Sequence, residues 1–239
     1  MPSKRKVQFA NGEIYHIVSR AIDGIELFRD KQDYSQMIRD IFRFNDLSPV
    51  ISTERVVYYR SKDDETRSDR VSFERRERKL MVEILAFCLM PNHIHLLIKQ
   101  LSNNGIPKFM QKFGGYAWYY NKKYNRSGYL FQGRYGAVHI ENDRQLMTVF
   151  VYIHANPVAI IYPGWKEKGV KDAERAMKFL EEYKWSSYLD YLGNKNFPSL
   201  TNREFLTEIM GGLKECKRLV DDWLYRKHEL FDLEKVGIE

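Results

Sequence analysis

Phe87-Cys88-Leu89-Met90-Pro91-Asn92-His93-Ile94-His95-Leu96-Leu97 is the stretch on which the reading of this 239-residue chain turns. Residues 82–90 and 94–100 are apolar, β-prone runs. Pro91-Asn92 marks the turn between them, since proline has no N–H to offer a sheet and sits at strand boundaries. Side chains alternate along a strand, so His93 and His95 project to one face and Ile94 to the other. Two converging imidazoles are half of a metal site, and they are equally an ordinary polar strand face; the spacing leaves both readings open.

Working outward, residues 13–22 alternate in a strand pattern that closes on Asp23-Gly24. Residues 30–45 set Tyr34, Met37, Ile38, Ile41 and Phe42 at helical spacing behind an acidic first turn. Beyond the central stretch, residues 104–124 read as one helix with a stripe of Ile106, Phe109, Met110, Phe113, Ala117 and Tyr120, and residues 129–140 return to strand character. Asn142 is the expected N-cap of the next helix, with Gln145 as its capping-box partner. That helix should end near Asn156, because proline at 157 disfavours helical geometry in the residue before it. Helices that do not strictly alternate with strands predict an α+β domain on an antiparallel sheet. Helical periodicity over 171–191 and 202–229, around a loop at 193–198, predicts a helical C-terminal extension. The expected division is 1–160 for the main domain, with a charged insertion at 48–79 holding a candidate strand at 55–60, and 161–239 for the extension.

Hydrophobic residues make up 44% and aromatics 14%, enough for a packed core. A formal net charge of +7 suits a polyanionic partner, since lysine and arginine neutralise phosphates and release counterions. Cys88 and Cys216 are the only cysteines, which excludes a disulfide framework or a thiolate zinc site. No signal pattern is expected at the N-terminus. The most apolar run, 81–90, is short and carries Glu83, so no membrane span is expected and the location expected is cytoplasmic, associated with the nucleoid.

Tyr152 and Asn156 are four residues apart, which places them on one helix face, while His154 faces nearly away from Tyr152. Either this pair belongs to a site, or Asn156 ends the helix and Tyr152 packs in the core.

Several segments carry a family resemblance. The 87–97 stretch resembles the His-hydrophobic-His (HUH) strand of the IS200-like Y1 transposases, and Tyr15-His16-Ile17-Val18-Ser19-Arg20 resembles their first strand. Phe131-Gln132-Gly133-Arg134-Tyr135, Tyr152-Ile153-His154-Ala155-Asn156-Pro157-Val158 and Trp185-Ser186-Ser187-Tyr188-Leu189-Asp190-Tyr191-Leu192-Gly193 resemble the branch called REP-associated tyrosine transposases. The resemblance implies a ferredoxin-like sheet, the HUH endonuclease fold. It also implies His93 and His95 as ligands of Mg²⁺ or Mn²⁺, Asn156 in the third ligand position, and Tyr152 as nucleophile through a 5′-phosphotyrosine. The implied partner is single-stranded DNA with hairpins, cut and transferred by a monomer or homodimer. Two alternatives stand beside this: a domesticated hairpin-binding protein that does not cleave, and a metal-dependent phosphodiesterase that uses water.

Around that centre, Arg20, Lys108, Lys112, Lys122, Lys123, Arg126 and Arg134 are candidates for contacts to the DNA backbone, against a reading as solubilising surface charge. Tyr116, Trp118, Tyr119, Tyr120 and Tyr124 are either base-stacking platforms or core. His16 and His139 read as structural, with His139 an alternative ligand. The charged insertion is a solvated hairpin or a DNA-contacting arm.

Overall fold

The computed structural model describes residues 7–48 and 78–226. The candidate strand at 55–60 and nearly all of the charged insertion lie outside those residues. Strand β1 (Ile14–Arg20) leads through a single-turn 3₁₀ segment to helix α1 (Lys31–Phe44). Asp30 caps that helix, its side chain accepting from the backbone N–H groups of Gln32 at 2.9 Å and Asp33 at 3.0 Å. Strands β2 (Val82–Met90) and β3 (His93–Gln100) form the hairpin that the Pro91-Asn92 turn predicts. The region read as one helix at 104–124 is two, α2 (Gly105–Phe113) and α3 (Tyr116–Lys123). Gly114-Gly115 separates them; with two poor helix formers in succession, the chain re-aims so that Tyr116 and Tyr120 reach the core. Strand β4 (Gly136–Ile140) is shorter than the predicted 129–140, although Phe131 still makes an isolated bridge to Ala21.

The sheet is four-stranded and antiparallel, in the order β2-β3-β1-β4. With the connectivity βαββαβ, this is the ferredoxin-like arrangement of an α+β fold. Its two faces have different coverings. Tyr15, Ile17, Phe87, Leu89, Ile94, Leu96 and Ile98 pack with α1, α2 and α3. On the other face, Ala86, Cys88, Met90 and Leu97 pack with helix α4 (Asp143–Ala155) and the helices after it.

Asn142 caps α4 as expected, its Oδ1 accepting from Gln145 N at 2.9 Å, and the Gln145 side chain in turn accepts from Glu141 N at 2.7 Å. α4 ends at Ala155 with Asn156 as its C-cap, as expected, but the chain does not turn away there. That residue stays in the right-handed helical region and α5 (Val158–Ile161) follows directly, so packing overrides the local bias before proline. Then come α6 (Trp165–Lys168), α7 (Ala173–Glu182), α8 (Tyr188–Tyr191), α9 (Glu204–Met210) and α10 (Leu213–Arg226). The predicted helix over 171–191 is thus broken between Glu182 and Tyr188. There the chain runs along the outer edge of β2: Leu89 N donates to Trp185 O at 2.9 Å, Ser187 N to Phe87 O at 3.0 Å, and Asn202 N to Ile84 O at 2.9 Å. Tyr183 and Tyr191 add phenol hydrogen bonds to Leu89 O and Leu85 O, both at 2.6 Å. An exposed strand edge is thereby covered, and its carbonyls satisfied. Among the described residues, no helix is long and apolar enough to cross a membrane.

Candidate active site

Directly paired residues of an antiparallel sheet share a face. Arg20 pairs with His93, Val18 with His95 and His16 with Leu97, so His16 and Arg20 lie on the face that carries both β3 histidines. This is the face that α4 covers. Ile94 goes to the opposite side, as the alternation predicts. His139 pairs with Tyr15 on that opposite side and makes a 2.7 Å contact to Glu13, which removes it from the cluster.

The Tyr152 ring stands edge-on to His95, with centroids 5.4 Å apart, and lies 6.0 Å from His16. One turn on, the buried Asn156 side-chain amide lies beside the His93 ring and acts on it. His154 points elsewhere: its Nε2 is 2.8 Å from Ser187 Oγ, among Phe150, Tyr188 and Tyr191. The structure therefore brings together His93, His95, Tyr152 and Asn156, and leaves His154 out. Tyr152, His95 and Asn156 are buried, whereas His93 is half-buried.

Two further residues join this group that sequence reasoning did not place there. His16 Nε2 lies 3.0 Å from His95 Nδ1. Lys166, on the short helix α6, donates from Nζ to Tyr152 Oη at 2.8 Å, with its charge 4.5 Å from the ring centroid. Gly164 at φ +75° and Gly169 at φ +84° bracket α6, both in the region that disfavours side chains, and the neighbouring Trp165 is buried. His16 carried a signal in its alternating strand, but its partner is 79 positions away. The 157–170 stretch has no periodicity that would single out Lys166.

Burial holds all three clustered imidazoles neutral. His16 is pushed down to about 3 by burial, with Arg20 and Lys166 adding to the effect, and His93 to about 4 by burial and then Arg20. His95 lies well below the ordinary range, from burial and then from its histidine neighbours. His93 Nδ1 is 2.7 Å from Asn92 Oδ1 and so donates, which leaves its Nε2 with a lone pair. The tautomer in which His95 Nδ1–H donates to His16 likewise leaves His95 Nε2 as an acceptor. That nitrogen and Asn156 Nδ2 are buried without a protein partner. Among the described residues, no group of three or more histidine, cysteine or carboxylate side chains is placed to hold a metal. Any ion here would therefore rest on imidazoles and an amide.

The basic candidates divide by setting. Arg20 is exposed beside the site, and its charge acts on His16, His93 and His95. Arg134 is exposed at a groove of about 670 Å³ lined by Met110, Phe113, Phe131 and Tyr135. Lys108 is exposed on α2, and Lys122 is exposed on α3, 5.0 Å over the ring of Trp118, which is 69% exposed. The others are tied to the fold: Lys123 to Asp30 and Asp33, Lys112 to the carbonyls of Asp46 and Ser48, and Arg126 to Asn121. Tyr116 and Tyr120 are core, their hydroxyls on Leu27 O and Glu26 O, and Tyr119 and Tyr124 bond to Asp33.

No curated protein matches the chain. A solved structure of a REP-associated tyrosine transposase bound to a REP hairpin aligns over 84% of this chain and 95% of its own, at 15% identity and a TM-score of 0.47. Residues 51–156 match the family described as "Transposase IS200 like", a stretch that ends at Asn156 and contains His93, His95 and Tyr152.

Proposed function

We propose that this protein is a metal-dependent single-strand DNA endonuclease and strand transferase, with Tyr152 as nucleophile. The observation that carries the reading is the meeting, on one sheet face, of Tyr152 with the His93 and His95 imidazoles, with His95 Nε2 buried and without a protein partner. The IS200-like match over the same residues supports it.

The donor set fits a divalent ion that accepts mixed nitrogen and oxygen ligands: His93, His95 and the Asn156 amide would hold Mn²⁺ or Mg²⁺, with oxygens from substrate and water making up the shell. When bound, such an ion offsets the charge of the scissile phosphate as a Lewis acid, undiminished because no carboxylate is among its ligands. The chain's own residues do the rest. His16 fixes the tautomer and ring plane of His95. α4 holds Tyr152 in line with the imidazoles, while burial among apolar groups keeps competing water from the phosphate. The Tyr152 oxygen bonds to phosphorus as the P–O3′ bond breaks, leaving a 5′-phosphotyrosine and a free 3′-hydroxyl. The bond energy is retained, so a 3′-hydroxyl reverses the step without a nucleotide cofactor. The substrate is single-stranded DNA bearing a hairpin, the class that the quoted motifs imply, with Arg20, Lys108, Lys122 and Arg134 as the exposed cations for its backbone.

The test is incubation with hairpin-bearing single-stranded DNA and Mn²⁺, read as a covalent adduct on a denaturing gel. The adduct should form, disappear with a chelator, and be absent in Tyr152→Phe. An adduct that survives Tyr152→Phe would sink the tyrosine mechanism. Cleavage without an adduct would point to water as nucleophile, and binding without cleavage to a non-catalytic hairpin binder.

A further inference from the structure

We propose that Lys166 is a catalytic residue of the Tyr152 reaction, stabilising the phenolate oxygen as nucleophile in cleavage and as leaving group in rejoining. The inference rests on Tyr152 acting as proposed above, and adds a residue from outside the matched 51–156 stretch.

A lysine lying over an aromatic ring is commonly a snorkelling stem with a modest cation–π contribution. Two observations set Lys166 apart. Its Nζ is 2.8 Å from Tyr152 Oη, so the charge is directed at the atom that would react and not only at the ring face. Its backbone is also specified: α6 is a single turn bracketed by two glycines at positive φ and seated by the buried Trp165. A side chain delivered by so constrained a turn is held in place, and a pre-placed cation needs no reorganisation as charge develops.

The groups facing the Tyr152 ring are His16 from β1, His95 from β3 and Lys166 from α6. Of these, the Lys166 ammonium is the group hydrogen-bonded to the Tyr152 oxygen. In the forward step the phenol proton leaves to water, the Oη–P bond forms as the P–O3′ bond breaks, and the 3′ oxygen takes a proton from water. Lys166 keeps its own protons throughout. In the reverse step the same ammonium receives the departing phenolate, so its loss should slow both directions.

The experiment measures single-turnover adduct formation at saturating hairpin DNA with Mn²⁺, together with DNA affinity and a thermal melt, for wild type, Lys166→Met, Lys166→Ala and Lys166→Arg. Lys166→Met should form adduct about 100-fold more slowly, the scale of losing one directed donor at a developing oxyanion, with the melt and affinity near wild type. Lys166→Arg should retain most of the rate, and added methylammonium should restore part of it to Lys166→Ala. Adduct formation by Lys166→Met within about threefold of wild type would overturn the assignment. So would weakened DNA affinity with an intact saturated rate, which would make Lys166 a phosphate contact. Should Lys166→Met fail to melt cooperatively, the arginine and methylammonium arms decide, and absence of rescue in both overturns the proposal. A wild-type protein that forms no Tyr152 adduct overturns the nucleophile reading and this one together, whereas equal adduct in wild type and variants overturns this one alone.

Discussion

His16 contacts His95 from the neighbouring strand, ring nitrogen to ring nitrogen. One imidazole nitrogen engaged at 3.0 Å leaves the other directed into the cluster. Partners that orient a ligating histidine typically affect metal affinity by 10–100-fold. His16→Phe, which keeps the ring volume but removes the hydrogen bond, is therefore expected to weaken Mn²⁺ binding by about that factor, measured directly by electron paramagnetic resonance. Unchanged affinity would mean that His16 is only packing. This residue was visible in the sequence as one of several strand histidines. Its role was not, because strand alternation tells which face a side chain takes and not which neighbour it meets there.

At the scale of elements, α1 and α3 are joined through Asp33, which is fully buried and accepts from Lys123 at 2.6 Å, Tyr124 at 2.6 Å and Tyr119 at 3.0 Å. Burial alone would raise this carboxyl, but Lys123 and then Tyr124 outweigh it and hold it below the usual carboxylate range. A depressed folded-state value means that the contribution is complete above the unfolded value and is lost as pH falls through the folded one. Asp33→Asn should cost about 3 kcal/mol at pH 7, since it leaves Lys123 without half of its charge partnership, and the penalty should shrink at pH 3. Urea midpoints at the two pH values check this, and a penalty independent of pH would be inconsistent with it. On the other side of the sheet, α4 depends on its cap. Asn142→Ala should lower stability by about 1 kcal/mol in the same assay. The Asn142 cap was readable from sequence because capping is local. The division of residues 104–124 into two helices was not, because the periodic stripe continues across Gly114-Gly115 and tertiary packing decides that the chain bends there.

Across the whole molecule, the helices beyond residue 160 share one core with α4 and with the sheet face that carries the histidines: Leu180, Tyr188, Tyr191, Leu206, Val220 and Trp223 lie in a single apolar cluster with Cys88, Val149 and Ile153. The segment around Trp185-Ser186-Ser187 also covers the β2 edge. A chain ended at residue 160 would expose this apolar face and leave strand-edge groups unpaired. It is expected to lose cooperative thermal unfolding and to bind a hydrophobic dye, as scored by circular dichroism and fluorescence. A sharp melt with no dye binding would show that the first 160 residues fold alone.

Periodicity and turn chemistry in the sequence determined the strand hairpin around Pro91-Asn92, the shared face of His93 and His95, the shared helix face of Tyr152 and Asn156, and the antiparallel α+β class. All of these follow from backbone geometry over a few residues. Tertiary structure alone decided that the histidine face and the tyrosine helix meet, that His139 lies across the sheet from them, and that His16 and Lys166 complete the cluster. Those contacts join residues from 14 to more than 100 positions apart, and no local rule of spacing reaches that far. The same limit applies to the 87–97 stretch. Its alternation aimed two imidazoles at one face, and the long-range packing of α4 and α6 supplied what they face.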